Sequence, residues 1–285
     1  MKFFKLNKGR RCEYTGKSVV TATSCANIQV GRSWLRTNLA VITAVMLAVI
    51  GHGAVGSQQV FANETALTAM PPVFVECTRT ANYNIYLSGL HTGTMARTED
   101  WRGSSAVITT HSEASILGIG TEYFQQAKLY WSTDEGEWLT DKFHQIVSGF
   151  RSRNMQVSFS ANGRASHVDI DGDVARYTST DIALRDVDTL AVQIRQYLLQ
   201  GRQQFALHRQ ASDGIEPYQY HVKPPQTVKI EPWGELNVIP VKQTGAEEVT
   251  YYYAPSMGFQ LVKARYHGFI LRGLVELSDY NSSCD

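Results

Sequence analysis

Residues 186–199 of this chain read DVDTLAVQIRQYLL, and they decide the fold because they form the one clear amphipathic helix among segments that alternate like strands. An acidic residue, Asp186 or Asp188, can cap the start of this helix, and Gly201 can end it. Such a helix is expected to cover the apolar face of a sheet. The apolar residues that recur at helical spacing are Val187, Leu190, Ala191, Ile194, Tyr197 and Leu198.

On both sides of the helix, short segments with a period of two are separated by turn residues. A typical pair is 155–160 (MQVSFS) and 165–170 (ASHVDI), with Asn162-Gly163 between them, since both of these residues tolerate the positive φ of a tight hairpin turn. No long linker or internal repeat interrupts residues 73–280. We therefore predict one mainly β domain (α+β) over residues 73–285, built as a curved antiparallel sheet or half-barrel with one packed helix.

The N-terminal region has the pattern of an export signal. Residues 39–50 read LAVITAVMLAVI, Arg32 and Arg36 precede them, and Val60-Phe61-Ala62 resembles a small-x-small cleavage signal. We expect residues 1–62 to be a signal peptide cleaved near Ala62 that contacts the inner membrane during export, followed by a linker over 63–72. The alternative is an inner-membrane anchor, although a spanning helix needs roughly 20 apolar residues. Both interpretations place the following domain in the periplasm.

The charge distribution argues against a nucleic-acid partner. Residues 1–62 contain 8 of the 27 basic residues and 1 of the 26 acidic residues, so the remainder holds 19 basic and 25 acidic residues, a net charge of −6. Nucleic-acid binders present clustered positive charge, which this acidic domain lacks in its sequence. The hydrophobic fraction of 43% is sufficient for a packed core and excludes a disordered chain.

Two cysteines, Cys77 and Cys284, stand near the two ends of the predicted domain, whereas Cys12 and Cys25 precede the apolar segment. An even number of cysteines in an exported chain favours a disulfide, and domain termini often lie close together. We expect a Cys77–Cys284 disulfide; two unpaired thiols are the alternative.

Three stretches resemble the bacterial family known as domain of unknown function 3108. They are 84–93 (NIYLSGLHTG), the helix at 186–199, and 251–262 (YYYAPSMGFQLV), in which an aromatic-rich strand precedes a proline and a return strand. The resemblance covers most of residues 80–278. It implies an exported β-rich protein without an established activity, and it leaves the function open. There is also a more distant similarity to the half-barrel of lipoprotein carriers.

The sequence contains no recognised catalytic, cofactor or metal motif, and we predict none of these sites. Gly-x-Ser-x-Gly and His-x-x-x-His are absent. Asp169, Asp171 and Asp173 alternate as calcium ligands can, but the glycine and glutamate of a calcium-binding loop are missing, which favours a solvated hairpin turn. A Ser/His/Asp triad assembled from distant positions stays open, because its order in the chain is not fixed.

The aromatic residues suggest an apolar ligand. A concave sheet lined by aromatic side chains can hold such a molecule, although ordinary core packing also uses them. We therefore predict a noncatalytic periplasmic envelope protein that binds a lipid-like ligand or another envelope protein. The alternatives are a periplasmic hydrolase of an envelope substrate and a structural protein–protein interaction module. The residues predicted to line the ligand are Trp131, Tyr251, Tyr253, Phe259 and Tyr266.

Overall fold

The computed structural model describes residues 76–116, 119–149, 152–268 and 272–284. The expected signal peptide or anchor (1–62) and linker (63–72) therefore lie outside the described residues. Among the residues described, no helix has the length and apolar character needed to cross a membrane.

The described residues form sixteen strands, one α-helix and a short 3-10 turn at Pro255–Met257. The helix, α1, spans Val187–Leu199 and connects β9 to β10. The strands are β1 (Glu76–Leu87), β2 (Leu90–Arg102), β3 (Ser105–Ile116), β4 (Ile119–Ser132), β5 (Glu137–Gly149), β6 (Arg153–Ser160), β7 (Ala165–Ile170), β8 (Asp173–Thr178), β9 (Leu184–Arg185), β10 (Gln204–Gln210), β11 (Ile215–Val222), β12 (Gln226–Ile230), β13 (Gly234–Gly245), β14 (Val249–Ala254), β15 (Gln260–His267) and β16 (Arg272–Ser282).

One sheet contains these strands in the order β8-β7-β6-β5-β4-β3-β2-β1-β16-β15-β14-β13-β11-β10-β9, and β12 pairs with β13 beside this path. The pairs are antiparallel except β9 with β10. Within the described residues the path has two edges, β8 and β9, so the sheet does not close into a barrel. The prediction of a mainly β fold with a curved, open antiparallel sheet and one helix is confirmed.

The position of α1 shows how strongly the sheet bends. The helix contacts both β5 and β10, which lie ten steps apart in the strand order, and β9 also contacts β5. At about 4.8 Å per step, a flat sheet would separate β5 and β10 by roughly 48 Å, far more than the diameter of a helix. The two halves of the sheet therefore curl around α1.

Alternation along the strands produces the inner face. In β4 the buried residues follow every second position from Thr121 to Trp131, and the intervening side chains are exposed or half-buried. The predicted hairpin is also present, because β6 and β7 pair with Ser160 opposite Ala165. Its turn uses positive φ at Asn162 and Gly163, as expected, and at Ala161 as well.

The core consists of three apolar clusters. The first contains Val192 of α1 together with residues of β1–β7, including three tryptophans. The second joins the other side of α1, through Leu190 and Ile194, to β10, β11, β13 and β14. The third lies between β1, β2 and β16 on one side and β12–β15 on the other. Because α1 takes part in two of the three clusters, it is a central element of the core rather than a surface cover.

Candidate functional site

The start of α1 is tied to β5 by Asp186, the N-cap residue. Its Oδ1 accepts hydrogen bonds from the backbone N–H groups of Asp188 (2.8 Å) and Thr189 (3.2 Å). Its Oδ2 accepts from the hydroxyls of Thr140 and Thr189, both at 2.6 Å. Side-chain capping satisfies N–H groups that the first turn of a helix leaves free. Asp186 thus caps the helix and also fixes its position on the sheet.

Arg185, which precedes the cap, is fully buried. Its Nε donates to the carbonyl of Trp138 and its Nη1 to the carbonyl of Ala183, both at 2.9 Å, while Nη2 pairs with Glu137. Glu137 also accepts a hydrogen bond from the Tyr197 hydroxyl on the last turn of α1. Glu137 at the start of β5 therefore connects to both ends of the helix, through an ion pair at one end and a hydrogen bond at the other.

A cavity of about 140 Å³ lies between α1 and the inner face of the sheet. Its walls come from α1 and from strands on both halves, mainly β2, β14 and β15. The apolar part of the lining consists of Met95, Val187, Leu190, Ala191, Val192, Ile194, Val249, Phe259, Leu261, Ala264 and Val275, and tyrosines 83, 251, 253 and 266 add aromatic surface.

Four of the five aromatic residues singled out from the sequence line this cavity: Tyr251, Tyr253, Phe259 and Tyr266. Trp131 differs from the expectation because it lies in the first core cluster, where it packs edge-on against Trp138 with ring centroids 5.5 Å apart. Alternation along β14 brings Tyr251 and Tyr253 to the same face. The sequence of β4 contains no local pattern that shows whether its inward side chains face the cavity or the first core cluster.

One end of the cavity carries a buried ion-pair network. Arg97 pairs with Asp188 and, through Nε, with Glu99 at 3.2 Å, and Arg195 Nη1 lies 3.0 Å from Glu99 Oε2. Burial alone would raise the pKa of Glu99, but the guanidinium groups of Arg195, Arg97 and Arg79 lower it to about 2. Burial raises the pKa of Asp188, with Arg97 opposing the shift. Glu99 is therefore ionised at neutral pH, and its ion pair with Arg195 holds α1 against β2.

A second charged group surrounds Glu247 in the turn between β13 and β14. Opposite this turn, Arg209 Nε donates to Glu216 Oε2 at 2.8 Å, and the Tyr218 hydroxyl donates to the same oxygen at 2.7 Å. Burial raises the pKa of Glu247 to about 7, with Arg209 lowering it and Glu216 raising it. The carboxyl group of Glu247 therefore gains and loses its proton near neutral pH.

Gly245 places this turn. Its φ is +133°, and an added Cβ would lie 2.3 Å from the carbonyl oxygen of Pro217 on β11. Only glycine allows β13 to approach β11 this closely, which brings Glu247 beside Arg209 and Glu216.

The charged residues of the cavity were missed by sequence reasoning, although a signal existed. Met95, Arg97, Glu99 and Trp101 occupy alternate positions of β2 and therefore share one face of the strand. Two opposite charges between two large apolar residues on one strand face indicate a buried ion pair. The partners on α1 could not be identified without the tertiary structure.

Cys77 on β1 and Cys284 beyond β16 form a disulfide, with Cα atoms 5.1 Å apart. The cysteines meet because β1 and β16 are neighbours that join the first and last strands of the domain. This bond is remote from α1 in the chain but packs against the first core cluster.

The aspartates considered as calcium ligands, Asp169, Asp171 and Asp173, do not line the cavity. Within the described residues, no group of His, Cys, Asp and Glu is arranged to hold a metal ion. Asp169 accepts a backbone hydrogen bond from Gly172 in the β7–β8 turn (2.8 Å), and Asp171 accepts one from Asn154 on β6 (2.9 Å). Ser179 Oγ lies 3.3 Å from His208 Nδ1, but neither residue lines the cavity.

Comparisons with known proteins place the chain by its fold. No protein-family model matches it, and no curated protein matches it. Among solved structures, the chain is similar to the crystal structure of a β-barrel-like protein of the domain of unknown function 1849 from Brucella abortus. The TM-score is 0.53 with 10% sequence identity, and the match covers 74% of this chain and 99% of that chain. This similarity shows a shared β-rich, barrel-like fold, that of a domain of unknown function.

Proposed function

We propose that this protein is an exported, noncatalytic binding protein of the bacterial envelope, and that the cavity between α1 and the sheet holds an apolar, lipid-like ligand. The observation that carries the proposal is the cavity itself: aliphatic and aromatic side chains line it, and a helix covers it. Ligand sites of globular proteins are mostly apolar concavities with a few placed polar groups, and this cavity has that composition.

The size of the cavity limits how much of an apolar ligand it can enclose. A volume of about 140 Å³ is close to that of an engineered apolar cavity of about 150 Å³ that stays dry and binds benzene. The cavity therefore has room for an apolar group of about the size of benzene, and a longer aliphatic chain would extend beyond it. The helix is fixed at its start by Asp186 and at its last turn by the hydrogen bond from Tyr197 to Glu137, so the cavity is preformed and binding costs little conformational entropy.

The proposed location rests on the N-terminal sequence and on the disulfide. The apolar segment at 39–50 with its preceding arginines is typical of an export signal. A disulfide between Cys77 and Cys284 is consistent with an oxidising compartment such as the periplasm. Membership of the domain of unknown function 3108 family, suggested by three stretches of sequence, is part of this proposal.

Native mass spectrometry of protein expressed from the full-length sequence and recovered from the periplasm tests the proposal. We expect a co-purifying apolar molecule that is released on denaturation. The variant Ala264→Phe adds a ring at the cavity wall and is expected to abolish this load. Ala96→Phe is the matched control, because Ala96 is an exposed strand residue outside the cavity.

Ligand-free masses for the wild type and Ala96→Phe would contradict the lipid-binding proposal and favour a protein–protein interaction module. If equal amounts of the molecule co-purify with Ala264→Phe and with Ala96→Phe, the molecule is bound outside this cavity.

A further inference from the structure

Two carboxylates that line the cavity have an oxygen without a hydrogen-bond partner among the described residues. They are Asp188, whose Oδ2 is unpartnered, and Glu247, whose Oε1 is unpartnered. Both residues are deeply buried, with only 3% of Asp188 and 8% of Glu247 exposed. A buried acceptor without a donor is costly, so such an atom calls for a donor from a ligand or solvent.

The cations that line the same cavity are already paired. Arg97 contacts Asp188 and Glu99, Arg195 contacts Glu99, and Arg209 contacts Glu216. An anionic head group, such as the carboxylate of a fatty acid, would have to compete with these ion pairs. Arg209 Nη2 makes no hydrogen bond with the described residues either, but it lies 2.5 Å from Glu216 Oε2 within that ion pair. The unpartnered oxygens of Asp188 and Glu247 are acceptors, which favours a ligand that donates.

The charge near Glu247 points to a cation. Arg209 and Glu216 neutralise each other, so ionised Glu247 leaves this end of the cavity with one negative charge. The rings of Tyr251 and Tyr266 line the same cavity as Glu247, and after burial the negative charge of Glu247 further raises the pKa of both phenols. Tyrosine rings and a carboxylate together form a favourable environment for an ammonium group.

We propose that the cavity selects an amphiphile whose head group is a protonated primary amine, which Glu247 binds as its counter-ion while the aliphatic chain lies along the aromatic wall. This inference rests on the proposed binding function and adds the class of head group. Asp188 supplies a second acceptor on the cavity wall, but its ion pair with Arg97 already holds α1, so Glu247 is the selective group.

Three probes with the same twelve-carbon chain separate the head groups: dodecylamine, dodecanol and dodecanoate, each below its micellar concentration. Displacement of a neutral fluorescent apolar dye is measured at pH 8 for the wild type, Glu247→Gln and Glu248→Gln. Glu248 is the matched control, because it is adjacent in sequence but exposed, and it pairs with Lys242 at 2.8 Å.

We expect the wild type and Glu248→Gln to bind dodecylamine on the order of tenfold more tightly than dodecanol, the usual value of one charge-assisted hydrogen bond. Glu247→Gln is expected to bind the two probes equally, with its affinity for dodecanol unchanged. The urea unfolding midpoint of Glu247→Gln at pH 8 is the folding control. A midpoint equal to or higher than that of the wild type shows that the lost amine preference does not come from unfolding.

Equal or tighter binding of dodecanol or dodecanoate by the wild type would overturn the amine assignment and leave the apolar cavity as a binding site. An amine preference that survives Glu247→Gln would overturn the role of Glu247. Failure of all three probes to displace the dye would instead refute the binding function on which the inference rests.

Discussion

Glu247 makes the stability of this protein depend on pH, and the size of the effect follows from its burial. Burial raises the pKa of the folded-state carboxyl from 4.5 to about 7, with Arg209 opposing and Glu216 assisting. Between these two values the folded state holds a proton that the unfolded chain has released. The free energy of unfolding therefore falls as the pH rises through this window, and the loss is complete above pH 7.

The expected loss is large enough to measure. Each pKa unit is equivalent to about 1.4 kcal/mol, so the titration of Glu247 should lower the free energy of unfolding by roughly 2–3 kcal/mol between pH 5 and pH 8. The groups that face Glu247 are Arg209 on β10, Glu216 and Tyr218 on β11, Tyr251 on β14 and Tyr266 on β15. The tyrosines stay neutral in this pH range because their pKa values are raised further by burial.

Urea unfolding at several pH values between 5 and 8 isolates this contribution. Glu247→Gln mimics the protonated carboxyl, so its free energy of unfolding should vary less with pH than that of the wild type, and the two curves should diverge by roughly 2–3 kcal/mol at pH 8. Glu248→Gln should run parallel to the wild type, because Glu248 is exposed to solvent. Parallel curves for the wild type and Glu247→Gln would refute the argument that burial controls this carboxyl.

Three further predictions concern the helix, the disulfide and the N-terminus. Arg185→Met should lower the free energy of unfolding by roughly 3–5 kcal/mol in urea titrations, since it removes the cation that pairs with Glu137 and a buried donor to two carbonyl groups; a loss below about 1 kcal/mol would show that the ion pair does not anchor α1. The double variant Cys77→Ser/Cys284→Ser should lose up to about 5 kcal/mol, because the disulfide closes a loop with a sequence separation of 207, and equal stability of the oxidised wild type and the variant would contradict this. Intact mass measurement of the periplasmic protein should give a chain that starts at Asn63 and is two hydrogens lighter than the reduced form; a chain that retains residues 1–62 would instead support the membrane anchor.

Much of the fold was predictable because its signals are local. The spacing of Leu190, Ile194 and Leu198 predicts α1, and the structure places its cap at Asp186, one of the two candidates. The positive φ values of Asn162 and Gly163 follow from residue type and place a hairpin. In these cases the backbone conformation depends on neighbours within a few residues, which a single sequence displays.

The candidate site was predictable only in part. Tyr251 and Tyr253 share a face by strand alternation, so their joint position was accessible, but Trp131 also alternates and yet faces a different part of the core. The missing information is the curvature of the sheet, which decides which inner positions face the cavity and which face a filled cluster. Curvature arises from packing between strands far apart in the chain.

The sequence by itself predicted the fold class, the helix at 186–199 with two candidates for its cap, a Cys77–Cys284 disulfide with unpaired thiols as the alternative, and export. Each of these follows from local periodicity, residue type or composition. Only the tertiary structure decided that α1 lies inside the curled sheet, that Arg97 and Glu99 meet Asp188 and Arg195, and that Glu247 approaches Arg209. The physical reason is that burial and charge pairing depend on distances between residues separated by tens to hundreds of positions, and chain folding sets those distances.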